Sequence, residues 1–167
     1  MAYAAALMNT VVALLKDGCK GPASTPFKSL KDLQPQAAFI LATSYANMEL
    51  PHISVALPQE PYAVSDWTAA KNVKEGTFVC QVTVAANLNL GSDNPYGDDS
   101  QPGVLTIADD VMDLLEMDST REAFIQATKR YVDHQVTTAA HEVQGEGTVA
   151  VVGIRVTFKL RFKAGNR

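Results

Sequence analysis

Few residues of this chain have types and spacings that chemistry requires. The three histidines are His52, His134 and His141. No HxxxH or HExxH pattern joins any two of them, and zinc needs His or Cys donors at close spacing. Each is therefore expected at the surface or in a hydrogen-bonded structural position. Residues Ser92-Asp93-Asn94-Pro95-Tyr96-Gly97-Asp98-Asp99 offer the carboxylates and carbonyls that a hard cation such as Ca²⁺ takes. Pro95 breaks the alternation of ligands and no bidentate Glu follows at the EF-hand distance, so a solvated turn is expected. GxSxG, GxxxxGK[ST] and GxGxxG do not occur. Gly145-Glu146-Gly147 opens a strand and not a helix, so it cannot serve as a phosphate loop. Asp109 and Asp113 share a helical face, but general acid work needs a desolvated carboxyl, and this face reads as solvated. The expectation is a protein that is not an enzyme, with no catalytic residue, no metal and no cofactor.

The elements that must position any working residue follow from hydrophobic periodicity. Val149–Phe162 alternates strictly. Ala150, Val152, Ile154, Val156, Phe158, Leu160 and Phe162 fall on one face; Val149, Val151, Gly153, Arg155, Thr157, Lys159 and Arg161 fall on the other. Gly76–Leu88 is a second strand, with Phe78, Cys80, Val82 and Val84 inward. Residues 37–45 and 52–57 read as further strands. Ala2–Lys16 reads as a helix burying Leu7, Val11, Leu14 and Leu15, with Gly18 as its stop signal and Cys19 in a Gly-rich loop. Val104–Met117 is an amphipathic helix with Leu105, Ala108, Val111, Met112 and Leu115 inward and Asp109, Asp110, Asp113 and Glu116 outward. Ser119-Thr120-Arg121-Glu122 is a capping-box pattern. It predicts a helix to about Val132 that buries Phe124, Ile125, Thr128, Tyr131 and Val132, although β-branched and aromatic residues also permit a strand there. Residues 20–35 and 89–102 read as extended loops or contact arms, the first with one helical turn near Phe27–Leu33. Residues 58–71, with Trp67, and residues 137–147 read as irregular. The pattern predicts one domain over residues 1–167. Its fold class is α+β, a mostly antiparallel β-sheet with helices packed on one face.

Composition fits a globular chain, with 47% hydrophobic and 19% charged residues. The net charge of -4 gives no general affinity for nucleic acid. Cys19 and Cys80 form no disulfide framework, and a reducing compartment fits them. The apolar run Met1–Leu15 has no basic residue before it and is interrupted by Asn9 and Thr10. It reads as neither a signal peptide nor a membrane span. The charges are unevenly spread. Eight acids and no bases lie between Asp93 and Asp118, whereas five bases and no acids lie between Val149 and Arg167. Separate acidic and basic surfaces can pair between copies of a chain or steer a charged partner. Asp109, Asp110 and Asp113 on the helix, and Arg155, Lys159 and Arg161 on the last strand, are the candidate subunit-interface or channel residues. The basic stripe suits phosphate contact without base reading. Phe158 and Phe162 lie on the opposite face, so no stacking platform is expected.

An N-terminal helix, a Pro-rich stretch, a strand region, the long strand Gly76–Leu88, the acidic helix Val104–Met117 and the terminal strand Val149–Phe162 come in that order. In this order and in length the chain resembles the tail terminator proteins of long-tailed bacteriophages. The resemblance implies an α/β subunit with helices on one side of a sheet, assembled as a homohexameric ring. Such a ring caps the finished tail tube, stops its polymerisation and forms part of the head–tail joint through which DNA passes. The implied partners are tail tube and head connector proteins, with non-specific contact to passing DNA and none to a membrane. The implied place is the tail neck of the virion, after assembly in the host cytoplasm. The segment Ser119–Val132 is extra to the family pattern. Two other readings stand beside this one. One is a tail-tube-like or other head–tail joining protein. The other is a small ligand-binding or enzymatic α+β domain with a pocket between helices and sheet, using Tyr45, His52, Trp67 or Asp93 as polar groups.

Overall fold

The computed structural model describes residues 3–20, 27–31, 33, 35–38, 51–58, 62–64, 73–88, 93–98, 100–144 and 147–161. The spine is an antiparallel pair of long strands, β4 (Val73–Asn87) and β6 (Gly147–Arg161), paired from Val73↔Arg161 to Asn87↔Gly147. Both are rich in β-branched residues at period 2, which suits a half-buried pleated surface. Strand β5 (Tyr131–Gln144) pairs antiparallel with the other side of β6. Strand β2 (His52–Ala56) pairs antiparallel with β4, and β1 (Gln36–Ala38) lies parallel to β2. The sheet order is β1-β2-β4-β6-β5, with β3 (Tyr62–Val64) on β4 beside Gly76–Phe78. Among the described residues three helices complete the fold: α1 (Tyr3–Cys19), α2 (Val104–Glu116) and α3 (Asp118–Ala127). The fold is α+β, mostly antiparallel, with the helices sharing one core with a single sheet face.

That core joins Phe78, Cys80, Val82, Val84, Ala150, Val152, Ile154, Val156 and Phe158 of the sheet to Leu7, Val11 and Leu15 of α1. From α2 it takes Val104, Ile107, Val111 and Leu115, and from α3 Phe124. The alternation read from both long strands is thus the buried face. Cys80 is fully buried among them, as a small core residue. The side chains of Leu160 and Arg161 lie outside the described residues, as do all of Phe162, Tyr45 and Trp67.

Several boundaries differ from expectation, each for a local reason. Helix α1 runs through Gly18 to Cys19, so Cys19 is a buried helical residue and not a loop residue. Gly18 marks a close crossing instead. A Cβ there would lie 2.8 Å from Leu114 Cδ2, so α1 and α2 cross closely and a larger residue would push the Leu114 side chain aside. Helix α2 buries Ala108, Val111 and Leu115 as expected, and Val104, Ile107 and Leu114 in addition. Leu105 is exposed and Met112 half-buried. The capping box does not form. Helix α3 starts at Asp118 after an extended Met117, without a side-chain cap, and ends at Ala127. Thr128 then turns the chain extended, its N–H on the Phe124 carbonyl at 3.0 Å. Tyr131 and Val132 belong to β5, and Ile125 is exposed. Residues 137–144, read as irregular, continue β5 with a bulge between Thr138 and His141. Residues 62–64, inside a stretch read as irregular, form β3. The helical turn expected near Phe27–Leu33 is a 3₁₀ turn, Lys28–Leu30. Of residues 37–45, only the start falls in β1; residues 39–45 lie outside the described residues.

Candidate functional site

The outward face of α2 carries Asp109, Asp113 and Glu116, all exposed, at helical spacing beside exposed Leu105. Asp110 departs from this set. It is half-buried and accepts hydrogen bonds from the backbone N–H and the hydroxyl of Ser29. Its carboxylate ties the 3₁₀ turn to α2, so Asp110 is an internal staple and not an outward acid. Ser29 itself is buried, and its hydroxyl also lies 3.5 Å from the Thr106 carbonyl.

Burial first, and then the carboxylates of Asp113 and Asp110, push the Asp109 carboxyl up from its ordinary value. A carboxyl raised on folding costs stability once it ionises. That stability is fully present below the unfolded value and is lost as pH rises through the folded one. Asp109→Asn is accordingly expected to stabilise the isolated subunit at pH 7 by about 0.2–0.5 kcal/mol, the scale of a like-charge helix pair. The difference should vanish below about pH 4, near the unfolded value of Asp. Urea titrations at the two pH values check it.

Arg155 and Lys159 stand exposed on the sheet face away from the helices. They alternate with half-buried Val151 and Thr157, as their period-2 positions require. Pairing adds what the single strand could not show. Exposed Glu75 of β4 is the register partner of Lys159, and exposed Asp133 of β5 that of Thr157. The basic stripe of one strand is thus part of a mixed-charge face. Glu75 precedes the strand start read at Gly76, but its spacing from Thr77 and Val79 places it on this same face.

The C-terminal end of α2 holds a polar network that sequence reasoning missed. Its last carbonyls need partners, and α2 has no basic residue in its last turn. The buried Thr120 hydroxyl donates to the Leu114 carbonyl at 2.7 Å. His134 lies with Nε2 2.9 Å from the Leu115 carbonyl and Nδ1 2.7 Å from the Tyr131 hydroxyl. A carbonyl only accepts, so Nε2 carries the proton and Nδ1 accepts from Tyr131. Phe124 packs 5.3 Å from the His134 ring and 6.1 Å from the Tyr131 ring. Burial, then Asp133, push the Tyr131 phenol up, and Arg121 partly offsets them. Both ring nitrogens of His134 are engaged, which gives it a structural position. The sequence signal was His134, three residues after Tyr131 and just past the segment read as helix to about Val132.

Residues 93–98 and 100–103 fold as a compact turn. Asp98 accepts from the Ser100 hydroxyl at 2.7 Å and from the Ser100 and Gln101 N–H groups at 2.8 Å each. These bonds, the Ser100 hydroxyl first, hold its carboxyl below the ordinary value. Gly97 has φ +108°, and a Cβ there would lie 2.1 Å from the Gly103 nitrogen. The Leu105 N–H then reaches back to the Tyr96 carbonyl at 3.1 Å, fastening the turn to the start of α2. Among the described residues no three His, Cys, Asp or Glu side chains gather as a metal site, and no helix is long and apolar enough to cross a membrane. Burial pushes the Cys19 thiol up to about 11 and the Cys80 thiol up to about 12, so neither is a thiolate at neutral pH.

Of the proposed pocket residues, His52 is half-buried on β2 and Asp93 is exposed in the turn. Among the described residues a cleft of about 450 Å³ opens elsewhere, beside Glu116, His134, Gln135, Val136 and Thr137. No protein-family model matches this chain, and no curated protein matches it.

Proposed function

We propose that this chain is a structural subunit of a homo-oligomeric ring, a tail terminator of a long-tailed phage acting at the head–tail junction, and not an enzyme. One observation carries the assembly reading. The acidic face of α2, with Asp109, Asp113 and Glu116, lies on the helical layer, and Arg155 and Lys159 lie on the far face of the sheet. Two complementary surfaces on opposite layers cannot meet within one subunit. They can meet between copies in a head-to-tail contact, which closes into a ring when the rotation permits. The order of helix, short strands, long strand, acidic helix and terminal hairpin supports the terminator assignment. The tail tube and head connector are then the outer partners. Glu75 and Asp133 within the basic face weaken its attraction for a polyanion, which favours a protein neighbour there over DNA.

The test is native mass measurement of the purified chain at low salt, with charge swaps. The wild type should form a closed oligomer, a hexamer by resemblance. Arg155→Glu with Lys159→Glu should weaken assembly by more than about tenfold, one 1.4 kcal/mol step or more. Adding Asp109→Lys and Asp113→Lys to that variant should restore assembly, because both faces are then inverted. A wild type that stays monomeric even when mixed with tail tubes overturns the reading. Unchanged assembly of the Glu variant assigns the basic face to DNA or solvent. Long stacked tubes in electron micrographs would point to a tube protein instead of a terminator.

A further inference from the structure

The acidic stripe of α2 ends at a cleft. Asp109, Asp113 and Glu116 are exposed along one side of the helix. Glu116, at its C-terminal end, also walls the 450 Å³ cleft, beside His134, Gln135, Val136 and Thr137. Two separate causes make this site negative. The C-terminal end of a helix is the negative pole of its dipole, and α2 has no basic residue in its last turn. Glu116 adds a full charge, and among the described residues it has no ion-pair partner. The rest of the lining accepts or is already engaged. Gln135 is exposed and carries a carboxamide oxygen. The Thr137 hydroxyl donates to the Gly153 carbonyl at 3.3 Å, which leaves its oxygen able to accept. His134 spends both ring nitrogens on Leu115 and Tyr131. The cleft thus presents several acceptors around a negative centre and no base, which suits a guanidinium group.

We propose that this cleft is the socket for Arg155 of a second copy of this chain, with Lys159 of that copy on Asp109 and Asp113, a contact that rests on the ring reading and names the pairs that meet in it. Arg155 and Lys159 are both exposed, and among the described residues neither has an ion-pair partner within its own subunit. Their spacing matches the stripe. Four positions along a strand set the two bases about 13 Å apart. Seven positions along a helix set Asp109 and Glu116 about 10 Å apart, on the same side. Long side chains close that difference, so the two bases reach the two ends of the stripe together. The arginine suits the cleft, because its planar fork can bond a carboxylate and the acceptors beside it at once. The lysine, a rotatable point charge, suits the open helix face. Socket and arginine lie on different surfaces of each copy, so the contact is heterologous and repeats around a ring.

The test is a pair of single charge reversals in the full chain, Arg155→Glu and Glu116→Arg, with native mass measurement at low salt. Both positions are exposed, so each variant should keep the wild-type circular dichroism. Alone, each sets like charges against each other at every interface and should weaken assembly by about tenfold or more. Mixed one to one, the two variants face each other through their reversed charges at one interface and through native Arg155 and Glu116 at the next. Assembly should return, as an alternating oligomer with equal numbers of the two chains. Exchange of Arg155 and Lys159 for Glu should be only partly restored by Asp109→Lys with Asp113→Lys, and adding Glu116→Arg should complete the recovery. Arg155→Lys keeps the charge and loses the fork, so it should weaken assembly where Lys159→Arg does not. Single variants that assemble like the wild type, or a mixture that stays dissociated, overturn the socket and leave the ring reading in place. Equal effects of Arg155→Lys and Lys159→Arg overturn the choice of Arg155. A wild type that stays monomeric removes the ring reading and this contact together.

Discussion

Phe124→Ala is expected to destabilise the protein by about 3–5 kcal/mol, the usual cost of emptying a fully buried aromatic site. That is a large share of the roughly 5–15 kcal/mol that holds a domain together. The effect should be concentrated in α3. Only Thr120 and Phe124 of that helix are buried, so one hydroxyl bond to α2 and one ring are its deepest attachments, beside its packing on α1. The Phe124 ring also fills the space beside His134 and Tyr131. Its loss leaves the imidazole free to turn away from the Leu115 carbonyl, and a buried acceptor without a partner adds its own cost. Hydrogen exchange should show residues 118–127 opening at a free energy well below the global value, whereas the wild-type helix opens with the core. Ile125→Ala, one residue on but 44% exposed, should stay within about 0.5 kcal/mol of wild type. Equal urea midpoints for the two variants would defeat this account of α3.

The same segment shows how far the sequence could be read. Where one periodicity ran long and one face was buried, as in β6 and β4, the alternation identified the core face residue by residue. Such strands declare themselves because a slip of one position would expose every apolar side chain. In α2 the spacing identified the helix and the buried positions Ala108, Val111 and Leu115, but not the edge of that face. Leu105 and Val104 are neighbours 100° apart on a helix, and only the approach of α1 and the sheet decides which of them is covered. The segment 119–132 held a capping-box pattern that tertiary contacts overrode. Met117 is the N-cap, so Ser119 already lies inside α3 and cannot cap it, and Tyr131 after Thr128 pairs with β6 instead of extending a helix. Strand β5 was hidden by its two bulges, which break strict alternation near its start and again past its middle.

The candidate surfaces were legible to a similar degree. Asp109, Asp113, Arg155 and Lys159 are exposed as the one-element patterns indicated. What those patterns could not contain were contacts across elements: Asp110 with Ser29, 81 residues apart in the chain, or Glu75 beside Lys159 on the next strand. Charge read along a chain counts residues, whereas a surface is made of several chain segments. The mixed face of the sheet follows from register, and register is set by long-range pairing. This is why the assembly reading rests on layer placement and not on the count of bases in the last strand.

Register also leads to the remaining prediction, at the centre of the sheet. Gly76 pairs with Phe158, and a Cβ at position 76 would lie 2.7 Å from Phe158 Cζ and 2.9 Å from Cε2. A glycine inside a strand is costly unless something covers it. Here the Phe158 ring lies over it, only 1% exposed. Two substitutions should then each destabilise for opposite reasons. Gly76→Ala overfills the site and forces the ring off its place, at about 1–3 kcal/mol. Phe158→Ala empties the site, at about 3–5 kcal/mol. In the double variant the new methyl enters the space the ring has left, so the first penalty is relieved. The double variant should therefore be about as stable as Phe158→Ala alone, with a coupling of about 1–3 kcal/mol between the two positions. Denaturation midpoints of the four proteins measure this cycle directly. Strict additivity would mean that position 76 and the ring do not share space, and that the glycine is there for a reason other than the ring that covers it.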